Sequence, residues 1–484
     1  MDIHALKNIL KFLSVIGIAL SFFFFSAVVV GWLYHEDMRD FLLFDLFLLG
    51  TNAVIFLLLK NHNMKLSIKD GILSVNLIWI LLGVSGAVPL MLYTGVSPSD
   101  AFFEAISGFT TTGATIYTDI ESLPKSILYL RSLMHWLGGM GIIVLGVGLF
   151  SIINPSGSMA LFKAESTGIK IEKITPKIKD TAIRLWGIYI LFTLIDAIAL
   201  KLAGMSSFDA LNHAFSTIST GGFSTKNASL GYYHSNMIIW ITTFFMIISG
   251  INFLAHLKLF SSGKFDGYKR EEVLWYLTIF IVLSLILGSI DIFVDYDNYF
   301  HALTHSFFTI ASVLTTTGFA TLDYAQWGHI AISIIFVAMF VGGNAGSTAG
   351  GAKVIRYIVL FKNIAVQLKR SLHPNAIVGL FIDGQKISSQ IISSTTGFIF
   401  LFVITNVLLT LYLFGRGFDA MTAISTALAT IGNIGPGFAL TGPAHNYAFF
   451  SQIDKIVLSI AMIIGRLEFY TVFLLFSRSF WKKF

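Results

Sequence analysis

An all-α polytopic membrane protein is the fold class this chain predicts, and three observations carry it. Hydrophobic residues fill 55% of its 484 positions and charged residues only 12%, against about 25% charged in soluble domains. Long apolar runs, at 9–34 and 41–59 first, meet the roughly 20 helical residues that a bilayer demands. The basic residues gather on every second connection: Lys7/Lys11, Lys60/Lys65/Lys69, Lys163 to Lys179, Lys258 to Arg270, Lys353 to Lys386, and Arg478 to Lys482. Asp100, Glu104, Asp119, Glu121, Asp291, Asp295 and Asp297 fall on the alternate side. Such alternation marks cytoplasmic loops and puts both termini inside. It also accounts for the net charge of +6 as topology, without nucleic acid as a partner; the surroundings are membrane lipid.

Taken in order, hydropathy predicts spans at 9–34, 41–59, 70–93, 127–152, 181–203, 236–260, 273–294, 328–361, 389–414 and 449–477. The first is too long for a signal-peptide core and lacks a small-residue cleavage site. Four apolar stretches, 99–112, 208–221, 301–317 and 419–434, are too short to cross and read as re-entrant elements on the external side. Arg184, Asp196 and Lys201 sit near span ends, where snorkelling accommodates them. With no cysteine in the chain, disulfides, thiolate metal sites and thiol nucleophiles are excluded.

The short stretches repeat. DAFFEAISGFTTTGAT begins at Asp100 and DALNHAFSTISTGGFST at Asp209; each has Asp thirteen and Ser (Ser107, Ser216) six residues before a Gly (Gly113, Gly222). The third copy keeps Ser312 six before Gly318, with His305 in the Asp position. The fourth retains Asp419-Ala420, which puts Gly435 after an apparent three-residue insertion and leaves Gly432 as the alternative by strict spacing. The unit is span, pore helix, loop, span, four times, in pseudo-fourfold arrangement, with two extra N-terminal transmembrane helices. The expected divisions are 1–66, 67–160, 161–265, 266–375 and 376–484.

Irregular backbone at membrane depth leaves carbonyls unpaired, which is tolerable only inside protein or against water. One way to satisfy them is to coordinate a dehydrated cation, as carbonyl rings from four loops do in potassium channels. Glycine permits the torsions that turn successive carbonyls toward one axis, and each short helix aims its negative end at the pore. The candidate filter is Thr111-Thr112-Gly113, Thr220-Gly221-Gly222, Thr316-Thr317-Gly318 and Asn433-Ile434-Gly435. Close helix packing, the competing use of glycine in membranes, suits Gly138, Gly139, Gly141 and Gly146 better than it suits four external loops.

GGNAGSTAGGAK (342–353) interrupts the span 328–361 with Gly342, Gly343, Gly346, Gly350 and Gly351, followed by Lys353. At about 1 kcal/mol per glycine relative to alanine, that run does not hold a continuous helix. Its likeness to a phosphate-binding loop is superficial: Ala352 stands where the lysine belongs, and no strand precedes it. Arg466 lies in the otherwise apolar last span beside Glu468, either as one half of a salt bridge or facing the pore. HALTH (301–305) has a histidine pair at i, i+4 but lacks a zinc hydrolase's glutamate and reads as the start of the third pore helix. Nothing forms a catalytic constellation, and an enzyme is not expected.

The four loops, with HWLGGMG (135–141), ISGINF (248–253), GGNAGSTAGGAK and IGRLE (464–468), resemble the bacterial Trk/Ktr/HKT superfamily of cation transporters, and within it the TrkH branch, over nearly the whole chain. The NIGPG of the fourth loop departs from Thr-Thr-Gly but is similar to that branch. The resemblance implies potassium uptake across a bacterial inner membrane, with the potassium ion held by backbone carbonyls at the four filter glycines. It implies a homodimer with one pore per protomer and a cytosolic ring of TrkA-type nucleotide-binding subunits. It makes 342–353 an intramembrane gating loop below the filter, with Arg466 close by, and the connections 153–180 and 362–388 the docking candidates. A sodium-permeable relative would carry Ser at the position of Gly113. An alternating-access carrier would show two inverted repeats rather than four parallel ones, and a non-conducting receptor would not need four filter loops.

Overall fold

The computed structural model describes residues 3–63, 67–144, 178–295, 299–376 and 378–482, and within them structure is helical apart from one small hairpin. Helices α1 (Ile3–Leu33) and α2 (Arg39–Leu58) form an antiparallel pair. Ser21 Oγ donates to the buried Asp45 carboxylate at 2.7 Å, and Gly17 makes room for Asn52. The pair packs against α3 (Ile68–Thr94) and α5 (Lys125–Val144) through Phe24, Phe41, Trp79 and Tyr129. Between those two lies the first pore helix, α4 (Pro98–Phe109).

The motif recurs three times: α6 (Ile178–Leu202), pore helix α7 (Ser207–Ile218), then α8 (Asn236–Ser249) and α9 (Phe253–Ser262); α10 (Glu271–Asp295), pore helix α11 (Tyr299–Leu314), then α12 (His329–Val341) and α13 (Val354–Leu372); and α14 (Ser389–Gly415), pore helix α15 (Ala420–Ile431), then α16 (Gln452–Arg466) and α17 (Tyr470–Phe473). A last turn, α18 (Arg478–Trp481), follows. Pore helices of 12 or 16 residues reach about 18–24 Å at 1.5 Å per residue, short of the ~30 Å hydrocarbon core. The lipid-facing outside is apolar, with Phe22, Phe47, Leu202, Phe244 and Phe400 well exposed.

Three expected spans are broken. The stretch 236–260 turns by 93° between α8 and α9, and 449–477 turns by 112° after α16. The stretch 328–361 is α12, the glycine-rich loop and the start of α13. At the first break Gly250 packs tightly, so that a Cβ there would overlap the Tyr276 hydroxyl. On the basic side, α13 meets the hairpin β1 (Phe381–Ile382) and β2 (Gln385–Lys386). Lys362 pairs with Glu271 and donates to the Phe381 carbonyl at 2.9 Å, while Glu271 accepts from Asp383 N at 2.9 Å. The other connection, 153–180, lies outside the described residues except for its last three, as does Gly146.

Candidate ion-conduction pore

Each pore helix ends in the same cap. In the first, Thr112 N donates to Ser107 O (2.9 Å) and Thr111 N to Gly108 O (3.1 Å). The equivalents are Gly221 to Ser216 (2.7 Å) and Thr220 to Thr217 (3.0 Å); Thr317 to Ser312 (2.8 Å) and Thr316 to Val313 (3.1 Å); and Ile434 to Ala429 (2.8 Å) and Asn433 to Thr430 (3.2 Å). This pair of bonds is the Schellman motif, which needs a left-handed residue just past the helix. Thr111, Thr220, Thr316 and Asn433 fill that position at φ 54°, 54°, 57° and 53°. Asparagine tolerates left-handed backbone; a β-branched residue does not, so three loops carry strain of order 1–3 kcal/mol each.

Two residues on, Gly113, Gly222, Gly318 and Gly435 share φ of 81°, 83°, 81° and 93°. Gly432 is instead the right-handed C-cap of α15 at φ −76°, in register with Thr110, Ser219 and Thr315. The apparent insertion in the fourth copy is therefore a misalignment. Asp419 is the N-cap of α15, accepting from Thr422 N, and stands sixteen residues before Gly435, as the N-caps Ser97 and Ser206 stand before Gly113 and Gly222.

The four glycines form a closed ring. A Cβ on Gly113 would overlap the Gly221 carbonyl oxygen, one on Gly222 that of Thr317, one on Gly318 that of Ile434, and one on Gly435 that of Thr112. Each glycine thus abuts the carbonyl just before the next loop's glycine, in the order first, second, third, fourth, first. Gly221 departs from its counterparts because the His135 ring occupies the space a side chain would need. His135 Nδ1 also lies 2.7 Å from Gly108 O. Hydroxyl pairs Thr110–Thr112 and Thr315–Thr317, both at 2.7 Å, stiffen two loops. In the fourth, Asn433 Nδ2 donates to Thr112 Oγ1 and Met462 O, each at 3.0 Å. All four glycines border a cavity of about 170 Å³ on the acidic side of the bundle.

On the opposite face lies the loop 342–353. Gly351 N donates to Gly432 O (2.9 Å) and Gly350 N to Thr316 Oγ1 (2.6 Å), so the loop presses on the third and fourth caps. Asn344 N reaches Gly250 O (2.9 Å), Ala345 N the Glu272 carboxylate (2.6 Å), and Thr348 Oγ1 the carbonyls of Ile218 (3.0 Å) and Ser249 (3.2 Å). Gly342, Gly346 and Gly351 adopt φ of 78°, 72° and 74°, as does Lys353 at 71°; the Lys353 ammonium folds back onto Ala349 O. Gly343 packs against Ala349. Arg466 ends α16 and is buried, donating to Thr348 O (3.1 Å) and Gly138 O (3.2 Å). Glu468 pairs instead with Arg356 at 2.6 Å.

Several sequence readings need correction. Glu104, grouped above with loop acids, is fully buried within α4, and Asp196 is fully buried in α6 rather than snorkelling. Gly138 and Gly139 do make close packing, against Phe109 O and Ser219, but Gly141 faces open space. HALTH opens α11, where His305 Nδ1 lies 2.8 Å from Thr321 Oγ1. Gly250 and Thr348 were singled out only as members of the ISGINF and GGNAGSTAGGAK motifs, and Glu272, which lies in neither, had no signal in the sequence.

A multi-pass bundle with four re-entrant loops closing one carbonyl ring defines a membrane transport protein, not an enzyme. Residues 46–274 and 271–483 match the TrkH family, described as cation transport protein, and the chain belongs to that family. It is 37% identical over 486 residues to the Trk system potassium uptake protein TrkH of Halomonas elongata, covering 99% of this chain and 100% of that one. It is 37% identical over 427 residues to the protein of the same name from Escherichia coli, 87% of each. The crystal structure of the potassium transporter TrkH from Vibrio parahaemolyticus matches with a TM-score of 0.89 at 34% identity, covering 99% of this chain and 100% of that one.

Proposed function

We propose that this chain is a potassium uptake pore of the bacterial inner membrane, with both termini cytoplasmic. The observation that carries the reading is the closed ring of the carbonyls of Thr112, Gly221, Thr317 and Ile434 against the four glycines. Such carbonyls replace the hydration shell of a potassium ion, and the loop caps hold them without help from the ion. The ion is cargo, bound at Thr111 to Gly113, Thr220 to Gly222, Thr316 to Gly318 and Asn433 to Gly435. The names of the relatives point to potassium, and Gly113 in place of Ser favours it over sodium.

The loop 342–353 is the gate. It lies under the ring, is pinned by Arg466, and reaches the basic face through Glu272. That face, with the ion-paired hairpin 381–386, takes a TrkA-type nucleotide-binding subunit, and the protein works as a homodimer. The test is rubidium uptake into liposomes holding the purified protein, with potassium and sodium as competitors, for wild type and Gly113→Ser. Block by potassium alone is the expected result, with that preference lost in the reduced flux of the variant, whose Cβ crowds the Gly221 carbonyl; equal competition by sodium in the wild type overturns potassium selectivity. Flux that appears only on adding the cytosolic subunit assigns regulation to the partner.

A further inference from the structure

Buried behind the first two loops is an ion pair that the pore chemistry above does not use. Glu104 and Arg131 meet at 2.8 Å with side chains 0% and 1% exposed. Two desolvated charges in a membrane protein are expensive, and one left without the other costs more still, so the pair acts as a unit. Here every remaining bond goes to the strands that leave the glycine ring. Glu104 accepts from Thr115 Oγ1 (3.0 Å) and Ile116 N (2.9 Å), two and three residues after Gly113. Arg131 donates to Thr115 Oγ1 (3.1 Å) and crosses to Ser224 O (3.4 Å), two residues after Gly222. Its guanidinium is sandwiched by Phe223, 4.0 Å away, and Tyr117, 5.5 Å away.

The register of the repeats sharpens this. Nine residues before each ring glycine stand Glu104, His213, Thr309 and Thr426. His213 straps its own loop through Ser224 Oγ at 2.8 Å, and the fourth loop is strapped by Ser425 Oγ, which accepts from Phe438 N at 2.9 Å. The second copy adds a carboxylate, Asp209, which accepts from Thr225 Oγ1 at 2.6 Å; in the first copy the carboxylate is paired with an arginine, and Arg131 reaches over to the second loop. Arg131 also borders the outer cavity, so its positive charge stands beside the cation path and Glu104 neutralises it.

We propose that Glu104 and Arg131 are a positioning pair that sets the spacing of the first and second loops, and with it the discrimination between potassium and sodium. The inference rests on the pore reading above. The guanidinium fork is essential, because lysine keeps the charge but its three donors radiate from one nitrogen, which does not span Glu104, Thr115 and Ser224 together.

The experiment is the same liposome uptake assay on wild type, Arg131→Lys, Glu104→Gln and Thr115→Val, each first checked for monodispersity and melting temperature. Arg131→Lys is expected to stay folded and lose about tenfold of the potassium-over-sodium preference, the scale of one charge-assisted hydrogen bond lost. Glu104→Gln is expected to lower uptake rate about tenfold as well, since it leaves an uncompensated cation near the path. Thr115→Val, an uncharged change in the same network, loses selectivity to a smaller degree and keeps the test open if the charge variants misfold. Folded variants with wild-type selectivity overturn the proposal while leaving the pore intact. A wild type without potassium preference fails the underlying reading instead.

Discussion

The four re-entrant loops and the segment 342–353 are both irregular backbone inside a membrane bundle, yet their hydrogen bonds go to different places. Each re-entrant loop bonds to the helix it has just left, five and three residues back. The segment 342–353 bonds outward, to Gly250, Ser249, Ile218, Glu272, Thr316, Gly432 and Arg466. Local bonds survive any rearrangement of neighbours, whereas a loop held by distant partners leaves when they shift. Polar backbone satisfied locally suits a fixed ring, and polar backbone satisfied by others suits a movable plug.

That contrast can be broken from either side. Gly222→Ala has the largest expected effect. Its Cβ overlaps the Thr317 carbonyl and sits at φ 83°, so rubidium uptake should fall by about 100-fold or more, with backbone strain and the clash acting together. Next comes Arg466→Ala, which removes the bond to Thr348 O of the segment 342–353 and the bond to Gly138 O. Uptake without any cytosolic partner should rise at least tenfold, since even one charged hydrogen bond at the low end of about 1.5–3 kcal/mol is worth that much; unchanged or reduced flux counts against a releasable plug. Thr348→Val deletes a neutral hydroxyl shared by Ile218 and Ser249 carbonyls. It should raise partner-free uptake about fivefold, at roughly 1 kcal/mol for a neutral bond.

The smallest effect on transport belongs to Asn433→Thr, which makes the fourth loop resemble the others. It trades a tolerant left-handed residue for a strained one and loses two amide bonds. A drop of about 2 kcal/mol in stability is expected, read as a melting temperature a few degrees lower with potassium preference retained. A lost preference would mean that the fourth loop's side chain takes part in selection.

Much of this was legible in the chain. Gly113, Gly222 and Gly318 were found by spacing because a left-handed, clash-limited position admits little else. The fourth copy was harder: Asp419 matched Asp100 and Asp209 by type, although it does the work of Ser97 and Ser206. Aspartate serves both as an N-cap and inside the first helical turn, so identity of residue did not mean identity of role. Glu104 and Asp196 were misread because hydropathy places a charge along a span but not around it. The breaks after Ser249 and Arg466 were hidden by runs that remain apolar on both sides of the bend.

The sequence by itself determined the membrane class, the fourfold repeat and the first three ring glycines, because these follow from composition, hydropathy and backbone torsion, which are local. Only the tertiary structure decided that Gly435 rather than Gly432 completes the ring, that Arg466 holds backbone carbonyls while Glu468 pairs with Arg356, and that Glu104 meets Arg131. Each of those depends on which side chains face one another across elements far apart in the chain, and burial and partner choice are set by that packing.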